Sequence, residues 1–331
     1  GELKSPISGG ANGVITVSTD CDVTVQSGSK ITAAKGDGTG GTMTVSARNF
    51  TVDAGGAVSA GSTASNQNGG AATVTTTGDF TVNGAFSADG DDNGGSIIVD
   101  SNDDISVGGS SLTAIGTNKN GGSIILSADD DITVPGLIST TGKDSGGTIT
   151  LLASGDLTVP AGGSVLAEST NKKGGRIDAV IDGAGDISGT VSVDGQDGDG
   201  KVMMTIQDNM TVSGTGLISA NSTDPGKDGG TIGIKVGGNA TYSGTVRANA
   251  TDDGKIIALW SEGSTAIGGT VGGMISAIGG AGGGNNGGII DITTRATLSG
   301  DGAIDTSGAV NCSIIERTVT NSFAGVSTPA A

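Results

Sequence analysis

The sequence predicts an all-β fold built of stacked, near-identical coils, and three observations predict it. The chain repeats itself: GGSIIVDSNDDISVGGSSLTAIG at 94–116 returns as GGSIILSADDDITVPGLISTTG at 121–142. Its composition suits strands and turns, with 65 Gly, 5 Pro and 2% aromatic residues beside abundant Val, Ile, Thr and Ser. No segment carries apolar residues at the three-and-four spacing of a helix.

Each unit opens on a glycine: Gly13, Gly41, Gly70, Gly95, Gly122, Gly147, Gly175, Gly200, Gly230, Gly254 and Gly288, about 27 residues apart. Two and four residues later the chain is apolar in all eleven units, from Ile15 and Val17 through Ile124 and Leu126 to Ile256 and Ala258, then Ile290 and Ile292. That period of two describes a strand with one face always inward. A second strand reads apolar-Thr-apolar, as in FTV at 80–82, ITV at 132–134 and LTV at 157–159. A third carries a large column (Ile31, Phe86, Leu112, Ile138) and, two residues on, a small one (Ala33, Ala88, Ala114, Thr140). Three short strands per repeat describe a parallel β-helix, or β-solenoid, with a triangular section. A coil this long exceeds the hexapeptide-sided left-handed form, so the right-handed form is expected. The expected organisation is an N-terminal extension at 1–12, solenoid repeats at 13–307, and a terminal coil with a tail at 308–331. Twelve coils at ~4.8 Å would make a rod of roughly 55 Å.

The corners differ. The turn before the second strand is short and places Asp22, Asn49, Asp79, Asp104, Asp131, Asp156, Asp186, Asn209 and Asn239 in one column. Carboxylates ~4.8 Å apart repel by roughly 0.9 kcal/mol even in water. Two readings answer that repulsion. Asp79, Asp104, Asp131, Asp156 and Asp186 form a line of Ca²⁺ sites, or each Asx caps its own turn through backbone N–H groups. Apart from Ca²⁺, no cofactor is expected. The connection after the third strand is long, polar and irregular, and variable loops on a rigid scaffold are where partners such as glycans bind.

A net charge of −18 argues against nucleic-acid partners, and no apolar run reaches the ~18 residues of a membrane span. The chain has no histidine, which excludes His-based triads and the commonest zinc sites. Arginines at 48, 176, 247, 295 and 317 are scattered over different coils, against the clustered acid–base groups of a polysaccharide-degrading β-helix enzyme. Trp260 and Tyr242, each the single one of its kind, read as packing or cover residues, and Lys172 and Lys173 as a solvated pair. The six Asn-x-Ser/Thr sequons are about what composition alone produces.

The end coils of a parallel β-helix expose strand edges, and nothing in the sequence near either end reads as a covering helix. Successive copies are therefore expected to stack head to tail, through Gly13 and Cys21 at one end and Gly308, Val310, Cys312 and Ile314 at the other. Val310 and Cys312, two and four residues after Gly308, would be the inward pair of a twelfth coil. Cys21 and Cys312 lie too far apart in one rod to bond, but could meet between copies.

The unit GG-x-I-x-I…D-I-T-V-x-G-x-I-S-A-x-G, from Gly40 to about Gly308, resembles the repeats of filamentous haemagglutinin-like adhesins of two-partner secretion systems. The resemblance implies a right-handed β-helix, export, and an adhesive or structural fibre outside the cell. The start at Gly1, without initiator Met or signal peptide, fits a processed, exported chain. The expected function is an extracellular, non-enzymatic structural subunit, with a cell-surface adhesin as the alternative.

Overall fold

A computed structural model describes residues 2–4, 13–33, 38–268, 273–280, 286–308, 313–323 and 326–328, with the backbone alone at 2–4, 317–323 and 326–328. It is a parallel β-solenoid of about eleven turns, all-β among these residues. The chain climbs through three strands per coil, and each strand pairs in parallel with its counterpart one coil on. We number coils by their first strands, so that Val14–Ser18 opens coil 1, Ser123–Ala128 coil 5 and Arg176–Ile181 coil 7. Second strands such as Phe80–Val82 and third strands such as Leu137–Ser139 form the other two sides. Near the C-terminal end, first and second strands fuse into Ile289–Gly300 and Ser313–Phe323. Glu2–Lys4 lies outside coil 1 on the third side, in register with Lys30–Thr32.

The period of two sets the core. In Ser123–Ala128, Ile124 and Leu126 are fully buried and Ala128 nearly so, while Ser123, Ile125 and Ser127 face outward. The first strand therefore buries three residues, the third of them in a column running Ala47, Thr76, Ser101, Ala128, Ala153 and Ile181. Where that column is polar it is satisfied locally: the Thr76 hydroxyl donates to Ser101 Oγ at 3.0 Å, and Ser101 donates to the Gly78 carbonyl at 2.6 Å. Coils 2 and 3 hold a cluster of buried aromatics, Phe50 stacked on Phe80 at 5.8 Å with Phe86 edge-on to both.

The opening glycine is a requirement of coil spacing. A Cβ on Gly70, Gly95, Gly122 or Gly147 would stand 2.0 Å from the carbonyl oxygen of the opening glycine one coil before. The same N–H groups donate across the corner to the small column, Gly95 to Ala88, Gly122 to Ala114, Gly147 to Thr140 and Gly175 to Ala167, each at 2.7 Å. The long loops of these coils are thus tied off at their bases by one backbone hydrogen bond.

Two expected registers shift. In coil 10, Lys255 rather than Gly254 takes the opening position, because Ile257 pairs with Ile232 and Leu259 with Ile234. Ile257 and Leu259 are buried, Ile256 is 43% exposed, and Ala258 faces out. The run IIALW is apolar in either register, so the pairing of the neighbouring coil decides. In the terminal coil, Ile314 and Glu316 lie opposite inward Ile290 and Ile292, displacing the expected pair Val310 and Cys312, which fall outside the described residues. Gly308 belongs to the loop before that strand rather than to its start.

Candidate functional site at the acidic corner

The column before the second strand is a ladder between coils. Backbone N–H groups donate to the Asx side chain one coil earlier: Asp79 to Asn49 Oδ1 (2.8 Å), Asp131 to Asp104 Oδ1 (3.1 Å) and Asp156 to Asp131 Oδ1 (2.6 Å). Ala184 continues it to Asp156 Oδ1 at 2.7 Å. The ladder resumes with Asn239 to Asn209 Oδ1 and Ser264 to Asn239 Oδ1, both at 2.8 Å. The corner carbonyls meanwhile accept from the second strand of the preceding coil, as Asp131 does from Ile105 at 2.9 Å. The Asx oxygen supplies the acceptor that the turning backbone does not. Each side chain therefore caps the next coil's turn, not its own. The ladder also accounts for the glycine before it, since a Cβ on Gly78, Gly155 or Gly183 would lie 2.2–2.3 Å from the Asx oxygen below.

Asp186 does not belong to this column. It pairs with Thr158 at the outward position of the second strand, and Ala184 fills the corner. Gly185 takes the inward place of Leu157, and Ile206 from the next coil packs to within 3.2 Å of where its Cβ would stand. With a neighbour able to fill the space, this coil keeps its register without a large residue there.

Two carboxylates that the sequence reading did not single out, Asp103 and Asp130, complete the acidic corner. Carboxylate oxygens of Asp79, Asp103 and Asp104 lie within 4.8 Å of one another, as do those of Asp104, Asp130 and Asp131. The Asp131 carboxylate, some loss of water, and then Asp104, Asp103 and Asp156 push the Asp130 carboxyl above its ordinary value. A carboxyl raised in this way binds its proton more readily in the folded state, so stability falls as pH rises through the folded value. With a chelator present, Asp130→Asn is expected to raise the melting temperature at pH 7 and low salt. The gain should shrink in high salt and fade as the pH approaches 4. An unchanged or lower melting temperature at pH 7 would show that repulsion at this corner is already offset.

Similar capping recurs at the long-loop corner. Asp194 Oδ1 accepts from the Asn221 N–H at 2.6 Å, Asn221 Oδ1 from Asn249 at 2.8 Å and Asn249 Oδ1 from Ile278 at 2.9 Å. Asp89 accepts from the Ile115 N–H at 2.7 Å and the Thr113 hydroxyl at 3.0 Å, and burial pushes its carboxyl up. Five of the six sequons, at Asn49, Asn209, Asn221, Asn239 and Asn249, are rungs of these ladders with the side-chain carbonyl engaged. At Asn49, Asn209 and Asn239 the sequon is corner Asx, inward residue, outward Thr, a by-product of the repeat.

Trp260 lies outward on the first side, with the Lys235 ammonium 5.1 Å and the Arg295 guanidinium 5.6 Å from its ring centroid. Tyr242 is buried and faces inward, and its hydroxyl has no hydrogen-bond partner among the described residues. Lys172 and Lys173 pair with Asp144 and Asp199 at 3.0 and 2.9 Å on the long-loop corner. In DGQDGDG (194–200), Asp199 is thus taken up by Lys173, and Asp197 by Lys227 at 3.3 Å. Of the assembly residues, Gly13 is buried with its carbonyl accepting from Thr42, and Ile314 packs against the core. Cys21 is a free, exposed thiol at the first corner of coil 1. No helix among the described residues is long and apolar enough to cross a membrane.

Fold and corner together define the class, a β-solenoid repeat protein stabilised between coils by Asx ladders. No protein-family model, curated protein or solved structure matches the chain.

Proposed function

We propose that this chain is an extracellular structural subunit, a non-enzymatic solenoid that continues end to end from one copy to the next. The supporting observation is uniformity. The described coils meet one another through parallel strands, most of them with Asx capping at a corner as well, so one coil face fits another by the geometry already used inside the rod. An edge-to-edge joint recovers about 0.5–1.5 kcal/mol per hydrogen bond, over roughly ten bonds, against the cost of lost tumbling. The resemblance of the repeat to haemagglutinin-like fibres points the same way. Long loops tied off at their bases support a second reading, an adhesin whose corner loops bind glycans or a neighbouring surface.

Negative-stain microscopy of the purified chain should show filaments about one solenoid wide, and deleting 309–331 should leave short rods with the central coils folded. Single rods at high concentration would overturn the end-to-end reading, and rods that bind glycan would favour the adhesin. Ca²⁺ at the acidic corner belongs to the proposal as a stiffening ion held by Asp104, Asp130 and Asp131, with Asp79, Asp103 and Asp104 as a second group. A chelator should then lower the melting temperature of the wild type and leave Asp130→Asn unmoved.

A further inference from the structure

The three sides of the solenoid are unlike on the outside. The second side presents a polar column that includes Thr51, Thr81, Thr133 and Thr158. The large apolar residues exposed among the described residues all lie on the first side: Val14, Ile98, Leu152, Val180, Ile256 and Ile289. Such concentration on one face marks an interaction surface rather than scattered exposure.

The middle outward column of this side runs Ile98, Ile125, Thr150, Asp178, Met203, Gly233, Ala258, one residue per coil from coil 4 to coil 10. Its two ends are complementary in shape. Ile98 and Ile125, in adjacent coils, make an apolar ridge, with Ile98 39% exposed. Gly233 and Ala258, also adjacent, floor a mainly apolar trough of about 310 Å³ walled by Met203, Lys235 and Trp260. Asp178 stands midway, with Ile125 and Gly233 two coils away on either hand and Ile98 and Ala258 three coils away.

We infer that this face binds a second copy of the chain about a two-fold axis through Asp178, each ridge seated in the other's trough. A half-turn exchanges coil 5 with coil 9 and coil 4 with coil 10, so Ile125 meets Gly233 and Ile98 meets Ala258, twice over. This is the isologous, self-complementary geometry that two-fold interfaces require.

Charge runs the same way. The half that carries the ridge borders the acidic corner, with Asp100, Asp103, Asp104 and Asp130. The half that carries the trough presents Lys201 and Lys235, with Arg295 paired to Glu262 at 2.8 Å and Asp291 one coil beyond Ala258 in the same column, in a chain of net charge −18. A half-turn sets acid against base, whereas two rods side by side in parallel would set acid against acid. At the axis, the ion pair of Arg176 with Asp178 meets its own copy. Seven coils at ~4.8 Å and five residues at ~3.3 Å give roughly 500 Å² per copy. That is about 1,000 Å² in all, the lower edge of specific interfaces, as suits a reversible pair.

This closed pair is distinct from end-to-end growth, which gives an open series of sizes. Sedimentation of the full-length chain should show monomer and dimer exchanging at tens of micromolar, a closed step set apart from any open series of longer assemblies. Gly233→Leu fills the trough at an outward site, where the nearest atoms are the end of the flexible Met203 side chain. It should shift the dimer to monomer at least tenfold in concentration without lowering the melting temperature. For the register, Asp178→Cys should cross-link to itself on mild oxidation. Thr44→Cys, in the same column five coils from the axis and so about 48 Å from its own copy, should not. A monomer at every concentration, a Gly233→Leu dimer as tight as wild type, or equal cross-linking of the two cysteine variants would each overturn the proposal.

Discussion

Ile124→Asp is expected to destabilise the middle of the solenoid by several kcal/mol, enough to lower the melting temperature steeply or split the transition in two. Ile124 is fully buried between Ile97 and Ile149, and the fifth coil around it offers Leu126, Ile132 and Ile138, all without solvent exposure. A carboxylate there has no partner and no water, and its burial costs more than the stability a few coils share. In a stack whose coils touch only their neighbours, the damage falls first on coils 4 to 6. Thr133→Lys, outward in the same coil, is the control and should be nearly silent. Thermal melts of the two variants decide the register: equal behaviour would mean that the inward set is wrong.

Gly122→Ala should be almost as damaging, though it adds a single methyl. The new Cβ would stand 2.0 Å from the Gly95 carbonyl oxygen and 2.7 Å from the Gly94 carbonyl carbon, both backbone. No side chain is there to rotate away, and Gly122 is also held by its bond to Ala114. Relief requires coils 4 and 5 to part locally, and a loss at or above the upper end of the usual 1–3 kcal/mol for overpacking is expected. Gly109 gives the contrast, since nothing lies within 4 Å of where its Cβ would stand. Gly109→Ala should be neutral or stabilise by about 0.4–1 kcal/mol through the unfolded chain. Denaturant melts of the pair test whether spacing between coils, rather than turn conformation, fixes the opening glycines.

Most of the stack was legible in the sequence because strands write their burial in alternate residues. Ile97, Ile124 and Ile149 align by counting from a glycine, and Phe86, Leu112 and Ile138 by the small residue two places on. Counting fails where the glycine itself slips. Gly254 looked like an opening residue, but Lys255 holds that place, and the choice between Ile256 and Ile257 is made by the coil beneath. The third inward residue of the first strand was not legible, because Ala128, Ser101 and Thr76 are as plausible outside as in. Asp186 was misplaced because Asp-Ile-Ser imitates the Asp-Ile-Thr of its neighbours, and only the pairing of Gly185 with Leu157 shows the difference. The corner ladder was half legible. Asx residues announce a cap, but which coil's N–H they accept from is a matter of distance between coils, and local sequence does not carry it. Asp103 and Asp130 join the acidic corner for the same reason, through neighbours about 27 residues away.

The tie at the base of a long loop also separates length from architecture. Gly147 bonds Thr140 around six intervening residues, and Gly70 bonds Ala60 around nine, yet the coils above and below keep the same register. Insertions between these anchors leave the stack undisturbed, so the loops can diversify while the frame stays fixed. Such a corner works as a graduated rack. Foreign peptides grafted into successive loops would be presented along one edge at multiples of about 4.8 Å, in an order set by the gene.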